Sequence, residues 1–385
     1  MFRKWRMSMK VFFEFKRVFK RPSTYVVLFL VPVLFVILGS VFFNSFGATN
    51  LRIGVYSQDK SPLSKFTVGV VMSLFQGGTI QYVGSDFQKK LMDGELNAVV
   101  IIPSNFTISL FSARQTEIKY IPSPVDTQLS AAAYLVFQKL FEDLSGGPFF
   151  NPKVLQQMYT SSNVPAPKLV TEKELDFSQV FAPSLILIIT MFAALMVGSG
   201  LIVYDKEQGL TQYYIVGGID PVVYYLMKFF VVFFVSFLAG IVSYLIFFLS
   251  GFSVDFYAIL VIIGLNAIFH STLGLLISSF SKTSMVSNLF GTTLSVLLLF
   301  ASGAITSVSS LPELGRKLLN FVPIYNSVYI LRTLQLFSES TKLRELLLRN
   351  ASVVFFGSAI FMVISILILV GQFFPKWYTF KLRSE

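Results

Sequence analysis

The 385-residue chain contains no cysteine and only one histidine, His270. The first absence excludes disulfides, thiolate metal sites and cysteine nucleophiles together, and the second excludes a multi-histidine metal centre. Charge is scarce as well, at 13% of residues. No G-x-x-x-x-G-K-[ST] occurs, so this polypeptide does not bind ATP through a P-loop, and H-E-x-x-H and a G-x-S-x-G with partners are missing too. Catalysis by this chain alone is not expected. If it does work, the energy enters from a partner or a gradient.

Apolar sequence fills the space. Hydrophobic residues make up 54% of the chain, and the mean hydropathy is +0.70, far above a soluble average. A bilayer core needs about 20 apolar residues of helix. Six charge-free runs qualify: 22–51, 177–204, 229–254, 256–281, 283–312 and 350–375. The fold class expected is a polytopic α-helical membrane protein with six transmembrane helices and a small extracytoplasmic α/β domain. The first run is longer than the apolar region of a signal peptide and lacks a small-residue cleavage site, so it reads as a retained span.

Residues 1–21 hold eight Lys or Arg against one acid, Glu14. Placed before the first span, that excess puts the N-terminus in the cytoplasm, and six crossings return Lys376, Lys381 and Arg383 to the same side. The expected organisation is a cytoplasmic interfacial helix (1–21), a first span (22–47), an extracytoplasmic domain (48–176), spans two to six (177–375) and a cytoplasmic tail (376–385). The interfacial helix follows from Phe and bases mixed in "FRKWRMSMKVFFEFKRVFKR", which suits the headgroup layer. Residues 48–176 balance eleven bases against eleven acids, as a translocated segment can. Strands are expected at 51–57, 79–84, 97–103 and 117–122, helices at 62–76, 85–95 and 126–144, and a linker at 163–168. The stretch 305–349 carries six bases against three acids on the outer side. It includes Pro312, Pro323 and Arg332, and the apolar piece around Pro323 is too short to cross. A pair of re-entrant outer helices reconciles its length with its charge.

Between spans two and three lies "YDKEQGLTQYYIVGGIDP" (204–221), a charged, glycine-punctuated island in the most apolar part of the chain. It is too long for a turn and too short for a domain. A short amphipathic helix over 205–220, stopped by Gly217 and Gly218, would offer Glu207, Gln208, Leu210, Tyr213 and Tyr214 to a cytoplasmic partner. A solvated connector is the plainer reading of the same residues.

At this point the sequence resembles the type-2 permeases of ATP-binding-cassette (ABC) exporters. Their loop after span two reads like E-K-E-x-G-T-L-E-Q-L-L-x-x-P, with a Lys near the start of span three. Asp205, Lys206, Glu207 and Gly209 match, and Lys228 falls at the expected distance. Leu210, Thr211 and Gln212 depart from Thr-Leu-Glu, and Gly218 stands where Pro is common. "LGLLISSFSKTSMVSNLFG" (273–291) is similar to the family's junction of spans four and five, and "SGAITSVSSLPELGRKLLNFVPIYNSVYILR" (302–332) to its exit from span five. The segments "LRIGVYSQDKSPLSK" and "LMDGELNAVVIIPSNF" are similar to the subgroup with an extracytoplasmic domain between spans one and two. The resemblance implies a separate cytoplasmic ATPase that carries ATP and Mg and docks at Asp205–Tyr214 with Lys228. It also implies a second permease chain, identical or not, and ATP-driven export of a substrate that is lipid-like, amphipathic or drug-like. An ABC permease-like mechanotransmitter, signalling to an envelope partner without transport, is the alternative. No cofactor or metal on this chain and no nucleic-acid partner are expected; lipids are.

Asn266 and His270 lie four residues apart on one face of span four. They could line a path or sense protons, or form an interhelical hydrogen bond that fixes packing. Gly198, Ser199 and Gly200, with Gly291 and Thr292, read as close helix contact.

The orientation has a clean test, because no native cysteine competes for label. Gln212→Cys should react with a membrane-impermeant maleimide only from the cytoplasmic side, and Lys60→Cys only from outside. Reversed labelling, or a Gln212→Cys shielded from both sides, overturns the orientation.

Overall fold

The structure is a computed structural model that describes residues 12–43, 51–61, 78–112, 114–143, 168–171, 177–304, 308, 311–337 and 341–381. The chain divides into two units. One holds Met1–Gly39, Ala182–Thr306 and Lys317–Glu385; the other holds Ser40–Phe181 and Ser307–Arg316.

The first unit is helical. Residues 12–19 form α1, and after a corner at Lys20 and Arg21 a helical run over 22–43 forms α2. Within α2, Pro22–Tyr25 and Val31–Phe43 are α-helical, and Val26–Leu30 is a π turn in which the Val31 N–H donates to the Val26 carbonyl five residues back. The long helices are α6 (Phe177–Glu207), α8 (Pro221–Leu249), α9 (Phe256–Phe280), α10 (Ser284–Ala301) and α13 (Thr341–Lys381), with the short α7 (Leu210–Val216) between α6 and α8. These five are long and apolar enough to cross a membrane, while α2 contributes only a shorter apolar stretch, Val26–Ile37.

Caps, rather than charges, set the helix starts. Asp220 accepts from the Val222 N–H at 2.7 Å, with Pro221 in the first turn, so α8 begins eight residues before the charge-free run at 229. Asp255 accepts from the Ala258 N–H at 2.9 Å and Thr283 from the Val286 N–H at 3.4 Å, opening α9 and α10. Each satisfies a donor that the first helical turn leaves without an intrahelical partner. The expected re-entrant stretch 305–349 contains two short helices, α11 (Glu313–Leu319) and α12 (Pro323–Leu336). Its C-terminal limit is corrected, because α13 already begins at Thr341 and runs through Arg344 and Arg349. Charged residues are good helix formers, so the charge-free run understated the helix.

Helix α6 is the centre of this unit: 83% of its apolar window is buried, against 17% for α10 and 22% for α13. Close approach explains part of that. A Cβ on Gly198 would lie 3.1 Å from the Gly274 Cα of α9, and one on Gly291 of α10 would lie 2.7 Å from the Ser199 Oγ. Small residues at these crossings let backbones meet, as the sequence pattern anticipated.

The second unit carries a five-stranded mixed sheet of β1 (Leu51–Ser57), β2 (Gly78–Tyr82), β3 (Ala98–Ile102), β4 (Glu117–Pro122) and β5 (Lys168–Thr171), in the order β2-β1-β3-β4-β5. Pairs β1/β2, β1/β3 and β4/β5 are parallel, and β3/β4 is antiparallel, with Val100 opposite Tyr120. Helices α3 (Phe87–Met92), α4 (Phe106–Phe111) and α5 (Thr127–Asp143) connect and cover the strands. Central β3 is "AVVII" and almost wholly buried, as a strand covered on both faces should be, whereas β4 alternates exposed and buried. Two expectations are corrected: Lys168, read as the end of a linker, opens β5, and α4 was not anticipated. Four residues, of which only Val170 and Thr171 are β-branched, are too few to stand out from a loop without their partner strand. The expected helix at 62–76 and residues 163–167 lie outside the described residues. Asp86 occupies the N-cap position of α3, but its side chain makes no capping bond.

Beyond β1, Asp59 is buried and holds the neighbouring loop to α4. Its carboxylate accepts from the Ser61 N–H at 2.9 Å, from the Thr107 N–H at 2.9 Å and from the Thr107 hydroxyl. Burial pushes the carboxyl pKa up, but these hydrogen bonds outweigh it and hold the group below the usual carboxylate value. A depressed folded-state pKa gives stability that is present above the unfolded value of about 3.9 and lost as pH falls through the folded one. Asp59→Asn should therefore destabilise this unit at neutral pH by about 1–3 kcal/mol. The gap should shrink below pH ~4; urea-dependent proteolysis of the full chain reads both, and a gap that is absent or constant with pH contradicts this account.

Candidate functional site

The connector between α6 and α8 is built by two glycines in the left-handed region and by the Asp220 cap of α8. Gly209 has φ +67° and Gly218 φ +64°, the left-handed region that favours glycine. Nothing lies within 4 Å of a Cβ added at Gly209, so backbone geometry alone demands glycine there. Helix α7, seven residues long, sits between these reversals. Tyr213 is 75% exposed and Val216 is 60% exposed, one turn apart, while Ile215 and Ile219 are buried in the helical core. Gln208 and Gln212 are exposed beside them. The connector thus presents a small, partly aromatic strip outward and an aliphatic strip inward.

Three residues expected at the docking surface instead face inward. Asp205 and Lys228 are fully buried, and the Tyr214 hydroxyl donates to Glu14. The Lys228 Nζ lies 2.6 Å from Asp205 Oδ2 and 2.9 Å from Glu14 Oε2. Arg17 pairs with Asp205 and lies 3.4 Å from Glu14. The Tyr224 hydroxyl donates to Asp205 at 3.0 Å. The lysine nitrogen also stands 5.2 Å from the Tyr224 ring centre and 5.5 Å from that of Tyr214, a cation–π arrangement. Two carboxylates and two cations therefore balance to zero formal charge where α1, α6, α7 and α8 meet. A charge buried alone here would cost several kcal/mol; balance and hydrogen bonds make the burial tolerable. Burial lowers the Arg17 pKa, but Asp205 and then Glu14 more than offset this, so the guanidinium sits above its ordinary value. The Tyr214 phenol is pushed well up, by burial first and then by donation to Glu14, so it stays protonated.

The neighbouring residues Lys206 and Glu207 bind opposite ends of the α9–α10 junction. The Lys206 Nζ donates to the Ser279 carbonyl at 2.6 Å, in the last turn of α9. Glu207 accepts from the Ser284 N–H, the first of α10, at 2.7 Å. Cation on the C-terminal end and anion on the N-terminal end is the favourable sense for both helix dipoles. Leu210 is half-buried. The docking set of Asp205, Lys206, Glu207, Gln208, Gly209, Leu210, Tyr213, Tyr214 and Lys228 is thus brought together, but it splits into an outward strip, a helix-end clamp and a buried ion cluster.

Asn266 and His270 are both fully buried. The Asn266 amide donates across to the Leu187 carbonyl of α6 at 2.8 Å, and the His270 Nδ1 lies 2.8 Å from the Asn266 carbonyl of its own helix. Asn266 thus makes an interhelical hydrogen bond, while His270 bonds within its own helix with its ring against Phe269. Pro312 is exposed just before α11, and Pro323 is buried at the start of α12. Arg332, on α12, is buried and donates to Ser184 Oγ at 2.7 Å and to the Gly303 carbonyl at 3.3 Å. Sequence reasoning missed Glu14 and Arg17 as partners of the connector. The available signal was Glu14 itself, the single acid among eight bases in the first 21 residues.

Removing one member of the balanced cluster should cost more than removing an opposite pair. Lys228→Met leaves an uncompensated buried charge and should destabilise the protein by about 3–5 kcal/mol. Adding Glu14→Gln to Lys228→Met should restore a large part of the loss, because the charges balance again. Thermal unfolding of the purified full chain in mild detergent compares the variants; simple additivity would contradict a coupled cluster.

No curated protein matches the chain significantly. A family model described as ABC-2 family transporter protein matches residues 22–373, a stretch that contains α6 to α10, the connector with Asp205 and Lys228, and most of α13. The chain therefore belongs to the ABC-2 transporter family and is a multi-pass membrane component that works with an ATP-binding-cassette ATPase.

Proposed function

We propose that the chain is the membrane-spanning subunit of an ABC exporter that moves a lipid-like, amphipathic or drug-like substrate out of the cytoplasm. A separate ATPase, holding ATP and Mg, docks on the outward strip of α7. In this reading α2 is the first of six spans, both termini are cytoplasmic, and residues 48–176 lie outside the cell membrane. The basic N-terminal segment supports that orientation. The observation that carries the proposal is the double face of α7: Tyr213 and Val216 open to a partner, Tyr214 bonded into the ion cluster. A push on the strip reaches α1 through Glu14, α6 through Asp205 and α8 through Lys228 without passing through flexible chain.

A second permease chain completes the transporter. Helix α10 supports this, because Met285, Leu289, Phe290 and Leu297 are more than half exposed along a helix that is 17% buried. One observation favours the mechanotransmitter reading: Asn266, Ser278 and Ser287 each direct a side-chain hydrogen bond to the backbone of α6. ATP-dependent movement of a hydrophobic substrate in vesicles separates export from hydrolysis coupled only to signalling.

Two substitutions test the lever. Tyr213→Ala should weaken ATPase association about tenfold or more, as loss of an aromatic anchor does. Tyr214→Phe should leave association intact and reduce transport per ATP hydrolysed. If both variants keep wild-type association and coupling in reconstituted vesicles, α7 is not the docking lever.

A further inference from the structure

A cleft of about 530 Å³ lies beside the ion cluster in the same helical unit, between the α1–α2 corner, α6 and α10. Its volume is in the range of small-molecule sites. At one end stand Arg21 and Tyr204, with the guanidinium carbon 4.3 Å from the ring centre. Arg17 also approaches Tyr204, at 5.8 Å, but is committed to Asp205 and Glu14. Arg21 has no carboxylate partner among the described residues, and no Asp or Glu lines the cleft. It is a cation supported by an aromatic face with its hydrogen-bond donors uncommitted to any acid.

The corner that carries Arg21 is held in place. The Arg21 N–H donates to the Val18 carbonyl at 3.1 Å, the Thr24 N–H to the Arg21 carbonyl at 3.1 Å, and the Thr24 hydroxyl to the Val18 carbonyl at 2.6 Å. The cleft therefore has a fixed charged end. Its polarity then changes with depth. Arg21 is the last charge before the apolar run of α2, and Tyr204 is the residue before the charges that end α6. The two helices reach their polar–apolar boundary together, at the cleft mouth. From Tyr204 back to Met196 is eight residues, or about 12 Å of helix. Along that length the wall turns to Val197 and Met196, faced by Val27 of α2. Asn288 and Thr292, one turn apart on α10, provide uncharged polar groups on the remaining side.

We infer that this cleft binds an anionic amphiphile, its phosphate or carboxylate headgroup on Arg21 above Tyr204 and its alkyl chain along Val27, Val197 and Met196. A planar guanidinium at the edge of an apolar groove suits such a headgroup, because it can donate two parallel hydrogen bonds while the chain leaves water. A neutral glycoside detergent gains only the second term, and free phosphate only the first. The inference does not depend on the ATPase or on α7.

The test is equilibrium binding of dodecyl phosphate to the purified full chain in dodecyl maltoside, corrected for empty micelles, with inorganic phosphate and dodecyltrimethylammonium as comparison probes. Saturable binding of one dodecyl phosphate per chain is expected, weakened about tenfold by Arg21→Gln and less by Arg21→Lys. Val197→Phe, which narrows the apolar end and leaves the charge in place, should weaken dodecyl phosphate independently. Equal binding by wild type and Arg21→Gln, equal affinity for inorganic phosphate or for the cationic amphiphile, or no saturable binding to the wild type would each overturn the inference.

Discussion

A lysine cannot be carried into an apolar helix bundle without its counter-charges, and that constraint organises the end of the helical unit where α6, α7 and α8 join. Lys228 is fully buried one to two turns inside α8 and meets carboxylates from two other elements, Asp205 of α6 and Glu14 of α1. Arg17 supplies the second cation. Because the desolvation cost is offset only while the buried charges stay balanced and in contact, the ends of these elements cannot separate freely. The connector α7 joins the same arrangement through Tyr214. A short loop that would otherwise be a solvated link is therefore mechanically part of the bundle.

The same economy recurs next to it. Lys206 and Glu207 reach past the buried cluster to the end of α9 and the start of α10. Successive residues of one short sequence thus engage, in turn, the N-terminal helix, two further helix termini and the outward surface. Few charges are present in the chain, and those near the connector anchor its structure. Polar groups deeper in the unit are used differently. Asn266, Ser278 and Ser287 donate to or accept from the backbone of α6, and glycines let the helices approach. That pattern explains why α6 is the most buried of the five long helices.

Much of the fold was legible because the signals are local. Charge-free runs announced the long helices, the turn residues Gly217 and Gly218 ended α7, and β-branched runs marked four of the five strands. What failed had one local and one non-local origin. Helix ends were drawn where charges begin, although Asp220, Asp255 and Thr283 set the starts by capping backbone donors. The fifth strand, Lys168–Thr171, is a strand because β4 lies beside it in register, with Leu169 opposite Ile118. No four-residue window contains that information.

By itself the sequence determined the class: too little charge and too many long apolar runs for anything but a helical membrane protein, no residues for nucleotide chemistry, and one short polar island between two spans. These follow from composition and spacing, which the bilayer and the helix translate directly. Only the tertiary structure decided what the island's residues do. Glu14 lies 200 positions from Tyr214 and farther still from Lys228, so their pairing depends on how helices cross. Side chains that look alike in the sequence take different roles: Tyr213 and Tyr214 because adjacent positions on a helix point to different faces, and Arg17 and Arg21 because α1 ends between them and only Arg17 meets the buried carboxylates.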